Sequence, residues 1–499
     1  MSKSLLVISL LILVILPSAA TFAQSQLDSA KLRLVPWPKK ITVGDKTATM
    51  PAKLVIRVAG DDIAAAEKVA NTFAADLAEL KFEATVTKDS KNINAQIVLK
   101  IAKNPSLASE GYILETGKNI AIIAATKQGL FWGTRTALQL LSKGPGDSVP
   151  ALRIADEPEY GYRAFMVDVA REFHSIDFHK RMVKTLSSYK MNFYHIHFSD
   201  DQSYTLPSTA FPALPTPGRT YTKEQLTEMV KLGEEYNVTI IPEIEMPGHA
   251  SRLCEAVPEL VCKGKQRGGM ICPGPERSYE ILEALISEAM DIFPGPYFHM
   301  GADEVYLPAW DGCPDCEARL VKEGLKDKEA LYNYFINRMN RFVQSKGRRT
   351  IVWEGFKVDV EPIVDKNVLV EEFEISTTPP GDLIKAGYDI INASWSPLYV
   401  LKSFATSPEG IAEWNALYFG KGRPPRPLDK MLKIEPTKHL KGVSMCSWET
   451  EEAGEEALLL GTGRGMDGYA KPGPRLPAAA ERMWTGDKTT AEDLLKRIL

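Results

Sequence analysis

Cysteine, surplus positive charge and long apolar runs are all scarce in this chain of 499 residues. Six cysteines are too few for a disulfide-built miniprotein. Lys and Arg total 60 against 64 Asp and Glu, a net charge of −4, so no basic excess points to nucleic acid. Hydrophobic residues make up 44% and charged residues 25%, which excludes a disordered or collagen-like chain. What is present is ample chain for a large core, enough for several ordinary domains or for one large barrel with a smaller companion.

The first residues are built differently. Lys3 precedes an apolar stretch from Leu5 to Leu16, then Pro17 and small residues up to Ala23. That stretch falls short of the roughly 20 residues of a membrane span and reads as a secretory signal over 1–23. Cleavage is expected after Ala23, with no membrane association afterwards and a secreted or periplasmic location. No cysteine near that point offers a lipid anchor. Export permits disulfides, and Cys254, Cys262, Cys272, Cys313, Cys316 and Cys446 remain for them. Cys313 and Cys316 have the spacing of half a zinc site, but no second pair of that spacing completes it. One or two loop-stapling bridges are therefore the expectation, with no metal and no cofactor.

Residues 24–157 read as a small α/β domain. Leu54 to Val58 and Ala95 to Ile101 have strand character. Ile63, Val69, Phe73, Leu77 and Leu80 share a helical face between them. Tyr112 to Leu114 and Ile120 to Ile123 flank a glycine-containing turn and predict a hairpin. From 158 to 499 the pattern becomes strand then helix, repeated. Candidate strands begin near Phe165, Phe193, Val238, Tyr297, Thr350, Asn367, Tyr388 and Gly442. Asp177 is placed to cap one helix, Thr222 and Gln225 form a capping box for another, and Gly347 stops a third. Eight strands with helical crossovers predict a (β/α)8 barrel of the α/β class, preceded by the small sheet-plus-helix domain.

Barrel chemistry sits at the carboxyl ends of strands. Here those ends carry His195, His197, Asp200 and Asp201; Glu243, Glu245 and His249; His299, Asp303 and Glu304; Trp353 and Glu354; Trp395 and Tyr399; and Trp448 and Glu449. Carboxylates beside aromatic rings suit a sugar, whose C–H face stacks on Trp and whose hydroxyls take charged hydrogen bonds. Any single strand-end acid could instead be a helix cap and any single Trp core; the repetition around the barrel is what points to a site.

The segment His299-Met-Gly-Ala-Asp303-Glu304-Val305 resembles the signature of glycoside hydrolase family 20, the β-N-acetylhexosaminidases. So do Lys190-Met-Asn192 through Gln202, Ile241 through Ala250, Ala480 through Trp484, and, for the small domain, Leu34-Val-Pro-Trp-Pro38. The resemblance implies exo-acting, retaining hydrolysis of terminal β-linked N-acetylglucosamine or N-acetylgalactosamine from glycans or chito-oligosaccharides, with the substrate's own acetamido oxygen as nucleophile. It implies that Asp303 orients the acetamido group and Glu304 is the acid and base, with its pKa raised toward about 6. It assigns Tyr399 to the acetamido carbonyl, Trp353 and Trp448 to the pocket walls, Arg163 to the ring hydroxyls, and Asp200 and His249 to support; Trp395 and Glu449 complete the expected substrate contacts.

Several positions depart from the family pattern. Leu401 stands where an Asp is common, Glu449 comes one place early with Thr450 in the usual slot, Phe373 replaces a Trp, Glu172 stands where a His is frequent, and Glu245 replaces an Asp. These bear on gluco against galacto selectivity. Two rival readings differ in class. A catalytically weak glycan-binding barrel would need neither Asp303 nor Glu304. A metal-dependent amidohydrolase would use His195 and His197, but no histidine lies between His299 and His439 to complete its ligand set.

Overall fold

The computed structural model describes residues 29–499 apart from 90–93, 104–105, 265–268, 402–405, 423–426, 449–454, 456–457 and 459–473. The expected signal segment and Glu449 lie outside the described residues. Among the described residues no helix is long and apolar enough to cross a membrane.

The small domain is a seven-stranded sheet. Its strands are β1 (Lys40–Thr49), β2 (Lys53–Gly60), β3 (Glu83–Thr87), β4 (Ile97–Ile101), β5 (Tyr112–Glu115), β6 (Ile120–Ala124) and β7 (Ser148–Asp156), in the order β1-β7-β5-β6-β4-β2-β3. β5 and β6 form the expected hairpin. Helices Ile63–Glu79 and Lys127–Leu140 pack on each other and on the sheet, burying Val69, Phe73 and Leu77 from the first and Leu130, Phe131 and Trp132 from the second.

The second unit is the expected barrel. Its strands are β8 (Tyr162–Asp168), β9 (Phe193–His197), β10 (Thr239–Glu243), β11 (Tyr297–His299), β12 (Arg349–Trp353), β13 (Leu369–Glu372), β14 (Asp389–Asn392) and an eighth, Leu440–Ser447. All neighbours are parallel, and the eighth strand pairs with both β14 and β8 to close the ring. Thr222 and Gln225 make the capping box. The helix Ile176–Ser188 is capped by Ser175, not by Asp177, because the Ser175 hydroxyl accepts the Phe178 N–H while Asp177 already lies in the first turn.

Side chains fill the barrel in layers. Tyr162, Ala164, Ile241, Ile351, Leu369 and Ile391 form an apolar floor. One pleat further along the strands, His195, Glu243, His299 and Glu371 form a fully buried polar layer. Above that lie Met166, Trp353, Phe373, Tyr399 and Cys446. The extra chain length lies in the loops after β10 and β11, residues 244–275 and 300–327.

The small domain is fixed to the amino end of the barrel by buried polar contacts. Asp156 at the end of β7 takes Lys190 Nζ (2.9 Å), Tyr112 Oη (2.6 Å) and Trp484 Nε1 (2.9 Å). Glu110 takes Trp132 Nε1 at 2.9 Å and pairs with Arg163 at 2.5 Å.

Candidate active site

Arg163 is therefore not a cleft residue. It is the second residue of β8, at the amino end of the barrel, and is 0% exposed. Its guanidinium is consumed by Glu110 and by the carbonyls of Lys190 and Tyr160. The arginine that reaches the carboxyl end is Arg171. It pairs with Asp168 at 3.1 Å and Asp200 at 2.7 Å and lies over the Trp448 ring, 5.4 Å from its centroid. Asp168, the last residue of β8, fixes the intervening turn by accepting the N–H groups of Ala170 and Arg171. The signal was in the sequence: an Asp ending the strand with an Arg three residues on.

Asp303 and Glu304 leave β11 in opposite directions. Glycine at 301 (φ +65°) permits a tight exit: a Cβ there would lie 1.8 Å from Glu245 Oε2. Ala302 and Glu304 also hold positive φ, 73° and 46°, a backbone cost common at functional sites. Asp303 is buried in the cleft while the Glu304 side chain stays 58% exposed at its rim. His249 (φ +47°) stands between them, its Nε2 3.8 Å from Asp303 Oδ2 and 3.4 Å from Glu304 Oε2. Its Nδ1 faces Asp200 Oδ1 at 3.3 Å.

These charges set the protonation states. Burial disfavours a charged His249, but the hydrogen bonds to Asp200 and Glu304 prevail and lift it to about 11. His197 behaves alike: burial opposes its charge, while Glu243 (2.6 Å) and Asp200 (2.9 Å) lift it to about 10. Burial pushes Asp200 up, yet hydrogen bonds from His197 and His249 hold it well below the carboxylate range. Burial raises Asp303 to about 6, with neighbouring Glu243 and Glu304 adding to it. Burial and the adjacent Asp303 drive Glu245 well upward, so it stands as a neutral acid beside Asp303. Glu304 departs from expectation in sign: the hydrogen bond from His249 lowers its pKa. Enclosure alone was expected to lift it, but here the rim carboxylate lies beside a buried cation.

Around the acids the rings form a continuous wall. Trp353 lies 5.8 Å from Trp448 and 5.7 Å from Phe373, Tyr399 lies 6.0 Å from Trp448, and Trp395 lies 5.8 Å from Tyr399. Trp353 Nε1 donates to Glu243 Oε1 at 2.6 Å, which orients its ring. Trp395 Nε1 is buried without a partner among the described residues. Burial keeps the Tyr399 hydroxyl protonated, a donor. Leu401 packs against this wall. Glu354 is a loop anchor: its oxygens accept Ser376, Thr377 and Thr378 amides. His195 Nε2 and His197 Nδ1 both aim at Glu243 Oε2 (3.0 and 2.6 Å), so a carboxylate occupies the point where an amidohydrolase would hold its ion. All six cysteines are free in the structure.

A parallel barrel that gathers acids inside an aromatic wall at its carboxyl end has the architecture of a glycoside hydrolase. The description "Glycosyl hydrolase family 20, catalytic domain" matches residues 160–487, and "Glycosyl hydrolase family 20, domain 2" matches 31–157. The chain belongs to glycoside hydrolase family 20. It is 30% identical to a β-hexosaminidase of Porphyromonas gingivalis over 353 residues, covering 65% of this chain and 45% of that protein, so it spans less than half of that relative. It is 26% identical to a β-hexosaminidase of Vibrio furnissii over 449 residues, 82% of this chain and 69% of the other. Among solved structures it resembles the Flavobacterium johnsoniae chitobiase, with a TM-score of 0.77, 26% identity and coverage of 95% and 72%.

Proposed function

We propose that the protein is an exo-acting, retaining β-N-acetylhexosaminidase using substrate-assisted catalysis. The observation that carries this reading is the division between neighbours: a buried Asp303 within the cleft and an exposed Glu304 on its rim, bridged by His249. Consecutive acids so divided do not flank one bond as acid and nucleophile. They suit a nucleophile that arrives with the substrate. The acetamido oxygen attacks C1 as the C1–O bond breaks, giving an oxazolinium ion. Glu304 delivers the proton to the departing oxygen, drawing on the proton held between it and His249. It then takes a proton from the water that opens the ring, so the β configuration is retained. Asp303 accepts the acetamido N–H and faces the positive charge as it develops. Tyr399 donates to the acetamido oxygen, Trp353 and Trp448 enclose the methyl group, and the Trp395 N–H and the Arg171 guanidinium serve the sugar's hydroxyls.

Leu401 removes a charged acceptor, which favours N-acetylgalactosamine no less than N-acetylglucosamine. The amino-terminal segment supports export, and chito-oligosaccharides or N-acetylhexosamine-capped glycans are the substrate class. Paired chromogenic N-acetylglucosaminide and N-acetylgalactosaminide assays test the activity. A thiazoline mimic of the bicyclic intermediate should bind at least ~100-fold tighter than free N-acetylglucosamine. Equal affinities would refute substrate assistance.

A further inference from the structure

Four cysteines that the proposed chemistry leaves unused meet at one point. Cys262 and Cys272 come from the loop after β10, and Cys313 and Cys316 from the loop after β11. One ligand atom from each lies within 4.8 Å of every other, and all four residues are buried. The resolved sulfur separations are 3.8 Å for Cys262–Cys316, 3.6 Å for Cys272–Cys313 and 3.5 Å for Cys272–Cys316. A disulfide needs about 2.05 Å. A tetrahedron of thiolates about 2.3 Å from a central zinc ion has edges of about 3.8 Å. The separations match the second geometry, and no pair stands apart as the first would require.

The backbone is arranged for the same end. The antiparallel bridge between Val261 and Ile271, with the Cys272 amide donating to the Leu260 carbonyl, holds together the two stretches that carry Cys262 and Cys272. Cys313 is the cap of helix Pro314–Glu323 and Cys316 lies in its first turn, so the second pair is preset by helical geometry. Each loop cysteine has a glycine two residues on, and the amides of Gly264 and Gly274 donate to the sulfurs of Cys262 and Cys272. Both glycines are required sterically: a Cβ at 264 would lie 2.7 Å from the Asp311 carbonyl oxygen, and one at 274 would lie 2.3 Å from the Asp315 carbonyl carbon.

We propose that these four cysteines bind one structural zinc ion. Four thiolates are soft ligands, which excludes calcium and magnesium as occupants. Their close approach fits a single ion, not an iron–sulfur cluster, whose ligands ring a larger core. Four protein ligands leave no open position, so the ion is structural. Its role follows from what it joins. One loop carries Glu245 and His249, the other Asp303 and Glu304. The ion clasps them behind the cleft, where few ladder contacts reach: β10 and β11 share a single register pair, Glu243 with His299.

The test uses the full chain purified without chelator. Elemental analysis should give one zinc per chain, and a mercurial thiol reagent should release it to a colorimetric chelator. Thermal scans before and after stripping should show a lower Tm without the ion. Cys272→Ser should drop zinc to below about 0.1 per chain, whereas Cys446→Ser, in the eighth strand, should leave it at one. If Cys272→Ser fails to fold, release from the wild-type protein still decides. Peptide mapping that finds two disulfides among the four cysteines would overturn the proposal. So would reduced thiols that take up no zinc on dialysis, or iron found in zinc's place.

Discussion

Two arginines eight residues apart do opposite work, and substitution separates them. Arg163 neutralises Glu110 in a buried seam, so Arg163→Met leaves a bare buried carboxylate. Losing one member of such a pair costs about 3–5 kcal/mol. Its Tm should fall by many degrees with KM unchanged in the surviving folded enzyme. Arg171→Met should instead lower Tm less, because Asp168 keeps the Ala170 and Arg171 amides and Asp200 keeps His197 and His249, and should lower kcat/KM by about 100-fold if the proposed charged contact to substrate is lost. The same contrast applies to Glu245. It already stands as a neutral acid, so Glu245→Gln should change kcat by less than about threefold. A hundredfold loss would mean that Glu245 works as an anion. In the proposed mechanism Asp303 is ionised to face the developing charge, and burial holds its pKa at about 6. The acid limb of kcat/KM should therefore fall near pH 6; a limb near pH 4, ordinary for an exposed Asp, would contradict the assigned environment.

At the scale of elements, the strand exits store the geometry. Gly301→Ala would force a methyl group into the Glu245 carboxyl at a positive φ. It should lower both Tm and kcat/KM, read by a thermal scan and a chromogenic assay, whereas alanine at exposed Gly312, with no atom within 4 Å of its Cβ, should cost only its positive-φ strain of about 1 kcal/mol. All eight barrel strands were legible because each is a short, buried segment set between amphipathic helices or polar loops. β1, β3 and β7 were not: β1 and β3 lie at the edges of the small sheet with no residue fully buried, so they carry little apolar signal, and no strand was assigned over β7 from the sequence. Arg163 was misassigned because it shares a strand with the site while lying at the strand's other end. The cysteine cluster was illegible for a different reason. Its halves are about 40 residues apart on separate loops, and only one half has a familiar spacing.

For the whole molecule, the buried charge network sets the pH range of stability. Asp200 and Glu243 have depressed folded pKa values, so their contribution is present above the ordinary carboxylate range and is lost as pH falls through it. His197 and His249 are raised to about 10 and 11, so theirs is complete below about 6.5 and declines as pH rises toward those values. Asp303, raised to about 6, also favours the acid side. Tm should peak on the acid side of neutrality and decline steadily from pH 7 to 9. A flat profile across that interval would mean that the two histidines are neutral.

The proposed division of labour between a substrate amide and two steering acids is tested most directly by weakening the amide. With N-acetyl, N-fluoroacetyl and N-trifluoroacetyl glucosaminides bearing one leaving group, fluorine drains electron density from the attacking oxygen and leaves the rest of the sugar nearly unchanged. kcat/KM should fall at each step, by about 100-fold or more across the series if that oxygen bonds to C1 in the transition state. A series that reacts at one common rate would show that the nucleophile belongs to the protein or to water.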